Sequence, residues 1–181
     1  MIKTPDDMWV FAYGSLLWNP GFSVAENAVA RLDGYARSFC MRSIHHRGTE
    51  EDPGLVLALD EVPGTSCQGL ALRVASGQET QTLDYLRERE LISSAYLEKS
   101  LELRLDDGRI VPAVTFVVDT RHVQYCGGLP LEEQAQISAA AHGGRGPNSE
   151  YLFNTADRLQ KLCLADDDLD WLAARVRDLI T

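Results

Sequence analysis

The first candidate for chemistry is a short turn near the start of the chain, Tyr13-Gly14-Ser15-Leu16. It follows the apolar run Met8-Trp9-Val10-Phe11, which is typical of a buried strand, and Gly14 allows the backbone to approach a ligand closely. Beyond the end of the strand, the amides of Gly14, Ser15 and Leu16 are expected to be free of the sheet. Consecutive free amides form a concavity that binds a carboxylate or an oxyanion. Ser15 lacks the Gly-x-Ser-x-Gly context of a nucleophile, so this turn predicts binding rather than attack.

The second candidate is Glu90, near the end of a predicted helix from Gly77 to Leu91. Steps of three and four residues place Glu90 on the same face as Leu83 and Leu86, whereas Glu88 points away. Burial of a carboxylate raises its pKa, and a raised pKa suits a general acid or base near neutral pH. The spacing therefore predicts an inward-facing glutamate that could move a proton.

Structural alternatives compete with this chemistry. Glu90 could instead pair with Arg87 or Arg89 at the edge of the core, and the pattern alone leaves both interpretations open. His45 and His46 are adjacent, but the chain has no further ligands at the spacing of a zinc site. The sequence therefore predicts no metal site.

Strand patterns dominate the part of the chain that must position these residues. Alternating or continuous apolar residues predict strands at Leu55–Leu59, Gly69–Val74, Ser100–Leu105 and Ile110–Val118. Pro63-Gly64 predicts a turn between the first two, and Asp107-Gly108 predicts a hairpin between the last two. Pro112 suggests that the last strand begins at an edge.

Helices are predicted mainly in the second half. Ser76 and Glu79 form a capping box for the helix that carries Glu90. A second helix is expected from Pro130 to just before Gly143, and a third is expected to be capped by Asn148 or Ser149. A fourth has an apolar stripe with helical spacing, formed by Leu169, Leu172, Val176 and Leu179. The order predicts an α+β fold with a small, mixed, barrel-like sheet and flanking helices, in a single domain over residues 1–181.

The composition of the chain limits which binding partners and which cellular compartment are expected. Hydrophobic residues make up 45% of the 181 residues, the ordinary level for a globular protein, and the formal net charge is −10. A strongly acidic surface argues against a general nucleic-acid binder or a protein of anionic membranes. Residues 1–7 are too polar for a signal peptide, and the four cysteines have no paired spacing. These features predict reduced, buried cysteines and a cytoplasmic location.

Four segments in order resemble the ChaC family of γ-glutamylcyclotransferases. They are Met8 to Leu16; His46-Arg47-Gly48 followed by Pro53-Gly54-Leu55; Leu83 to Leu91 followed by Ala95-Tyr96; and Gly146 to Leu152. The resemblance implies a small β-barrel-like fold with flanking helices. It also implies an enzyme that cleaves glutathione to 5-oxoproline and cysteinylglycine without a cofactor.

The same resemblance implies roles for individual residues. The γ-glutamyl group would be held by Tyr13, Gly14, Ser15 and Leu16, and the catalytic glutamate maps onto Glu90, with Glu88 as the rival in a shifted alignment. Tyr151 is a further candidate for substrate binding, with a plain core tyrosine as the alternative. Arg47 is a candidate partner for the carboxylate of cysteinylglycine. The segment Leu91-Ile92-Ser93-Ser94, just before Tyr96, differs from the family pattern, because many relatives have a glycine near this tyrosine.

Two other functions remain open at this point. One is a cyclotransferase for other γ-glutamyl amines or amino acids. It would keep Glu90 and the loop but have a different pocket for the part of the substrate beyond the γ-carbon. The other is a non-catalytic binder of γ-glutamyl compounds. Loss of the acid would mark such a binder, and Glu90 is present.

Overall fold

The computed structural model describes residues 7–90, 94–164 and 166–181, and five strands between Trp9 and Val118 form a closed barrel. The strands are β1 (Trp9–Ala12), β2 (Val24–Ser43), β3 (Gly54–Val74), β4 (Tyr96–Leu105) and β5 (Ile110–Val118), with the short β6 (His142–Gly143) and β7 (Gly146–Pro147) later. The helices are α1 (Glu79–Glu90), α2 (Leu131–Ala140), α3 (Asn148–Lys161) and α4 (Asp167–Ile180). The barrel order is β1-β3-β2-β4-β5, so the predicted α+β fold with a barrel-like sheet is confirmed.

The chain divides into two compact units. Unit 1 comprises Met1–Arg37 and Leu59–His122, and unit 2 comprises Ser38–Ala58 and Val123–Thr181. The single domain over residues 1–181 stays a prediction.

The barrel core of unit 1 begins at β1. All four residues of β1 are buried, as an apolar run without alternation predicts. β1 pairs antiparallel with β3 and parallel with β5, so that Trp9 lies opposite both Arg73 and Ala113. The side chains that fill the barrel include Phe11, Tyr13, Leu32, Tyr35, Leu59, Leu103 and Val117. A strand buried on both faces delivers the following turn to a fixed position at the barrel end.

The predicted strands are confirmed as strand, but the prediction separated two segments of one strand and missed another strand. The predicted strands at 55–59 and 69–74 are parts of one strand, β3, because Gly64, with φ of +88°, bends the chain locally without reversing it. The strand β2 was not predicted, because its apolar residues are interleaved with charged and small ones rather than gathered in a run. The hairpin at Asp107-Gly108 is confirmed, with the Gly108 amide donating to the Leu105 carbonyl at 3.0 Å.

Three helices pack together in unit 2. Leu152 and Leu159 of α3 are buried, as are Leu169, Leu172 and Val176 of α4. The α4 N-terminus is capped by the Asp166 carboxylate, which accepts a hydrogen bond from the Leu169 amide at 3.1 Å. No helix within the described residues is long and apolar enough to cross a membrane.

Two predicted helix caps were wrong. Helix α1 begins at Glu79, three residues after Ser76, because Gly77 adopts φ of +85° in a turn closed by the Gln78 amide and the Ala75 carbonyl. Asn148 is the first residue of α3 rather than its cap, and its side chain is used elsewhere.

The prediction of four buried cysteines was also wrong in part. Cys40 and Cys67 are buried and Cys126 is half-buried, but Cys163 is exposed. Cys163 follows α3 with φ of +57°, a helix-terminating conformation that turns its side chain away from the packed face. All four are free thiols.

Candidate functional site

The turn after β1 presents backbone donors. Residues Ser15–Leu17 form one turn of 3-10 helix, closed by the Leu17 amide donating to the Gly14 carbonyl at 2.9 Å. The first amides of a helical turn have no partner within the turn. Among the described residues, the amides of Gly14, Ser15 and Leu16 accordingly have no acceptor. This is the arrangement that the sequence predicted for an anion-binding loop.

Tyr13 anchors the start of this loop. Its ring is buried in the barrel core, and its hydroxyl donates to the Phe116 carbonyl of β5 at 2.9 Å. Its own carbonyl accepts from Arg37 of β2 at 2.9 Å, and the same guanidinium nitrogen donates to the Gln68 carbonyl at 3.0 Å. Tyr13 therefore fixes the loop to two strands of the barrel.

Arg89 joins the loop to helix α1. Its side chain is only 7% exposed, and Nη2 donates to the Ser15 hydroxyl at 2.8 Å. Nη1 donates to the Asn19 carbonyl at 2.7 Å, and also lies within 3.3 Å of the Pro20 carbonyl and 3.2 Å of the Tyr85 hydroxyl. Sequence reasoning considered Arg89 only as a partner for Glu90. The feature of the sequence that could have identified Arg89 is its position, because it is a cation directly adjacent to the candidate acid Glu90.

Glu90 lies at the end of α1 with its side chain 16% exposed, whereas Glu88 is exposed. The predicted difference in orientation is therefore confirmed. The structural alternative is also realised, because Glu90 Oε1 lies 3.6 Å from Arg89 Nε. One arginine thus contacts both the candidate acid and Ser15 of the loop. Of the predicted departure at Leu91–Ser94, residues 91–93 lie outside the described residues.

A second arginine joins α1 to strand β4. Arg87 donates from Nε and Nη2 to the two oxygens of Glu98 on β4, at 2.7 and 3.0 Å. These hydrogen bonds raise the pKa of the Arg87 guanidinium. The rotation that turns Glu90 inward is held by the packing of Leu83 and Leu86, which are both buried.

In unit 2, Arg47 is an internal anchor. Its side chain is 6% exposed, its Nη1 donates to the Pro147 carbonyl at 3.1 Å, and the Glu150 carboxylate lies 3.8 Å away. Its guanidinium carbon is 5.9 Å from the centroid of the Tyr151 ring, and its amide donates to the Ser43 hydroxyl. Burial lowers the pKa of this guanidinium. These contacts favour a structural role for Arg47 over the predicted contact with a substrate carboxylate.

Tyr151 is also buried in unit 2. Its hydroxyl accepts a hydrogen bond from the Leu57 amide at 3.2 Å, and its ring meets Phe39 edge-on at 6.0 Å between centroids. Nearby, Asn148 makes two hydrogen bonds of 2.8 Å to the amide and carbonyl of Leu55. Substrate binding by Tyr151 stays a prediction.

The four segments that carry the family resemblance therefore lie in contact in two pairs, one pair in each unit. In unit 1, the Tyr13–Leu16 loop meets the Arg89-Glu90 pair. In unit 2, the segment around Arg47 and Leu55 meets the segment 146–151. Segments distant in sequence are held together by arginine and asparagine side chains that bond to backbone.

The family model and the related proteins that match this chain point to the same family. The family model described as "ChaC-like protein" matches residues 8–179. An Escherichia coli protein named glutathione-specific gamma-glutamylcyclotransferase is 40% identical over 178 residues, covering 97% of this chain and 76% of that protein. The human glutathione-specific gamma-glutamylcyclotransferase 1 is 34% identical, with 95% and 78% covered.

Among solved structures, a yeast gamma-glutamyl cyclotransferase specific to glutathione superposes with a TM-score of 0.86 at 20% identity. The match covers 96% of this chain and 97% of that one. At this identity the match establishes the fold alone.

Proposed function

The chain belongs to the family of ChaC-like proteins, and from this membership we propose that it is a glutathione-specific γ-glutamylcyclotransferase. Curated relatives from bacteria, plants and animals, at 32–40% identity, are named as γ-glutamylcyclotransferases. The reaction would convert glutathione to 5-oxoproline and cysteinylglycine.

The single observation that carries a catalytic role for this chain is the Arg89 contact between Ser15 and Glu90. It brings a carboxylate of low exposure together with a loop of unused backbone amides. An acid or base beside a set of oxyanion donors is what an acyl-transfer reaction requires.

The chemistry follows from the substrate. The α-amine of the glutamyl group attacks its own γ-carbonyl carbon, forming one C–N bond in a five-membered lactam, while the C–N bond to cysteine breaks. Glu90 takes the proton that the attacking amine loses and returns it to the leaving nitrogen of cysteinylglycine. Protons and electrons balance within the substrate, so no cofactor or metal enters the proposal. Because the attack is intramolecular, folding the γ-glutamyl chain toward its own amine supplies much of the acceleration.

The loop would bind the γ-glutamyl half. Amides of Gly14, Ser15 and Leu16 offer donors to the substrate carboxylate or to the oxyanion that develops on the γ-carbonyl. Tyr13 would act by fixing the loop, because its hydroxyl is already used on the Phe116 carbonyl. A cytoplasmic location belongs to the same proposal and is supported by the four free thiols.

A product assay tests the function. The purified protein is incubated with glutathione, and 5-oxoproline and cysteinylglycine are measured by mass spectrometry, with the Glu90→Gln variant as the control. We expect the two products in equal amounts and only with the unchanged chain. Binding of glutathione without product formation would identify a non-catalytic binder instead.

Substrate choice is tested by comparing kcat/KM for glutathione, γ-glutamylcysteine and γ-glutamylalanine. The loop and Glu90 act only on the γ-glutamyl half, so selectivity requires contacts to cysteinylglycine. A shortened substrate leaves such polar contacts unpaired, and we expect a loss of at least tenfold, or about 1.4 kcal/mol. Equal values would make the chain a general γ-glutamyl cyclotransferase.

A further inference from the structure

Two cysteines face each other in unit 2, where the segment 124–126 runs beside the end of β2. Met41 and Tyr125 form an antiparallel bridge. Next to this bridge, the Cys126 amide donates a hydrogen bond of 2.8 Å to the Cys40 carbonyl. The bridge and the hydrogen bond together place Cys40 directly opposite Cys126, one step along the register. Both residues belong to unit 2, and both are reduced thiols.

The segment 124–126 is fixed to β2 on one side of Cys126 and has space on the other. The Arg42 amide donates to the Gln124 carbonyl at 2.8 Å, and the Gln124 side-chain amide donates back to the Arg42 carbonyl, also at 2.8 Å. After Cys126, Gly127 adopts φ of +65°, and a Cβ at Gly127 or Gly128 would meet nothing within 4 Å. Gln124 therefore holds the register, while the two glycines leave Cys126 room to shift.

The register brings the two cysteines into the range of a disulfide. Opposite residues of an antiparallel pair point their side chains to the same face, and at a hydrogen-bonded position their Cα atoms are about 5.5 Å apart. Disulfides join Cα atoms about 4.4 to 6.8 Å apart. The Cβ atoms of opposite residues are about 4.5 to 5.5 Å apart, and a disulfide needs about 3.5 to 4.5 Å. A shift of Cys126 by less than about 1 Å therefore allows the bond.

The two thiols differ in their access to solvent. Cys40 is 0% exposed, whereas Cys126 is half-buried. Burial raises the pKa of the Cys126 thiol; the Arg42 guanidinium acts against this shift, and the Glu133 carboxylate adds to it. The thiolate is the form that attacks a disulfide, so Cys126 reacts slowly at neutral pH and faster at alkaline pH. A dissolved disulfide can thus reach Cys126, and Cys40 can be reached only through Cys126.

We propose that Cys40 and Cys126 are a redox site, which forms a reversible disulfide by exchange with a small dissolved disulfide such as oxidised glutathione. The Cys126 thiolate attacks one sulfur of the small disulfide, whose S–S bond breaks, and the first small thiol leaves with the proton that Cys126 lost. Cys40 then gives up its proton and attacks the Cys126 sulfur, which displaces the second small thiol. Two protein thiols are oxidised, and one small disulfide is reduced to two thiols.

The resulting bond would tie β2 covalently to the segment 124–126. A disulfide that closes a long stretch of chain stabilises a protein mainly by constraining its unfolded state. The stretch here runs from residue 40 to residue 126, so oxidation should raise the midpoint of urea unfolding by about 1 M. A reversible disulfide in an otherwise reduced protein is typical of redox sensing. The site does not depend on the function proposed above.

Incubation of the reduced full-length chain with oxidised glutathione, followed by peptide mass spectrometry, tests the site. We expect one cross-linked peptide that joins Cys40 to Cys126, with the mass of the two peptides less two hydrogens. Its rate of formation should rise about tenfold per pH unit below the pKa of Cys126. Dithiothreitol should restore both thiols and the original urea midpoint. Glu90→Gln should oxidise at the same rate as the unchanged chain, which separates this site from the catalytic proposal.

Single-cysteine variants assign the two roles. Cys40→Ala should stop the reaction at the mixed disulfide, so that Cys126 retains a glutathionyl group. Cys126→Ser should leave Cys40 unmodified. Cys163→Ser, which removes an exposed cysteine outside the pair, is the matched control and should form the cross-link at an unchanged rate.

Four results would each overturn the proposal. They are the absence of the cross-link at alkaline pH, a stable glutathionyl group on Cys126 of the unchanged chain, modification of Cys40 in Cys126→Ser, and a urea midpoint that is unchanged or lower after oxidation.

Discussion

The guanidinium of Arg89 donates a hydrogen bond of 2.8 Å to the hydroxyl of Ser15, across 74 positions of sequence. The same side chain lies 3.6 Å from the Glu90 carboxylate. Arg89 therefore sets the distance between the end of α1 and the donor loop, and hence between the proposed base and the proposed oxyanion site. It acts as a positioning residue rather than as an acid or base.

Replacing Arg89 should damage catalysis more than it damages the fold. We expect Arg89→Gln to lower kcat/KM by about 10- to 100-fold, because hydrogen bonds to a charged group contribute about 1.5–3 kcal/mol. Steady-state kinetics with glutathione measure the loss. Arg89→Lys should not restore activity, since one ammonium cannot reproduce the planar fork that contacts Ser15 and Asn19.

Arg87 provides the matched control, two residues away on the same helix. Arg87→Gln removes two hydrogen bonds to the largely buried Glu98 and should lower Tm, while kcat/KM stays within about threefold because the hydrogen bonds of Arg87 go to Glu98 and not to Ser15 or Glu90. Comparable kinetic losses in both variants would mean that Arg89 supports only the stability of the helix.

The two glutamates of α1 should respond differently to the same change. Glu90→Gln keeps the shape but removes the base, and we expect kcat to fall by at least about 100-fold. Glu88→Gln should be nearly silent because Glu88 is exposed. Turnover and circular dichroism are measured for both variants. A reversed result would refute the assignment of Glu90.

The donor loop can be tested by adding bulk at Gly14. Gly14→Val places a branched side chain beside the amides of Ser15 and Leu16, so binding of 5-oxoproline should be lost by calorimetry with little loss of solubility. Gly128→Val is the control, because a Cβ at Gly128 meets nothing within 4 Å. Unchanged affinity in Gly14→Val would remove this loop from the site.

In unit 2, the stability of the contact between the segment around Leu55 and the segment 146–151 should depend on Asn148. Its side chain satisfies both the amide and the carbonyl of Leu55, and it is fully buried. Asn148→Ala leaves both groups unpaired, and we expect a loss of about 2–4 kcal/mol in the free energy of unfolding by urea. Ser149→Ala, at the next and half-buried position, should change this free energy by less than about 0.5 kcal/mol. Equal losses would indicate that the bonds to Leu55 contribute little.

Local patterns predicted much of the barrel and of the site. The apolar run at Met8–Phe11 predicted β1, and steps of three and four along α1 predicted that Glu90 turns inward while Glu88 does not. Both depend on the fixed geometry of one element, so the sequence carries them directly. The long strand β2 escaped prediction because its buried residues, such as Ala30 and Tyr35, are separated by charged residues and by a bulge at Gly34.

By itself, the sequence determined which residues could do chemistry: a glutamate on an apolar helix face and a glycine-containing turn after a buried strand. Only the tertiary structure decided that Arg89 bonds to Ser15 while Arg87 bonds to Glu98, although the two arginines stand two residues apart on one helix. The rotation of α1 on the barrel selects these partners. That rotation is set by packing of Leu83 and Leu86 against residues distant in sequence, and no periodicity within the helix encodes it.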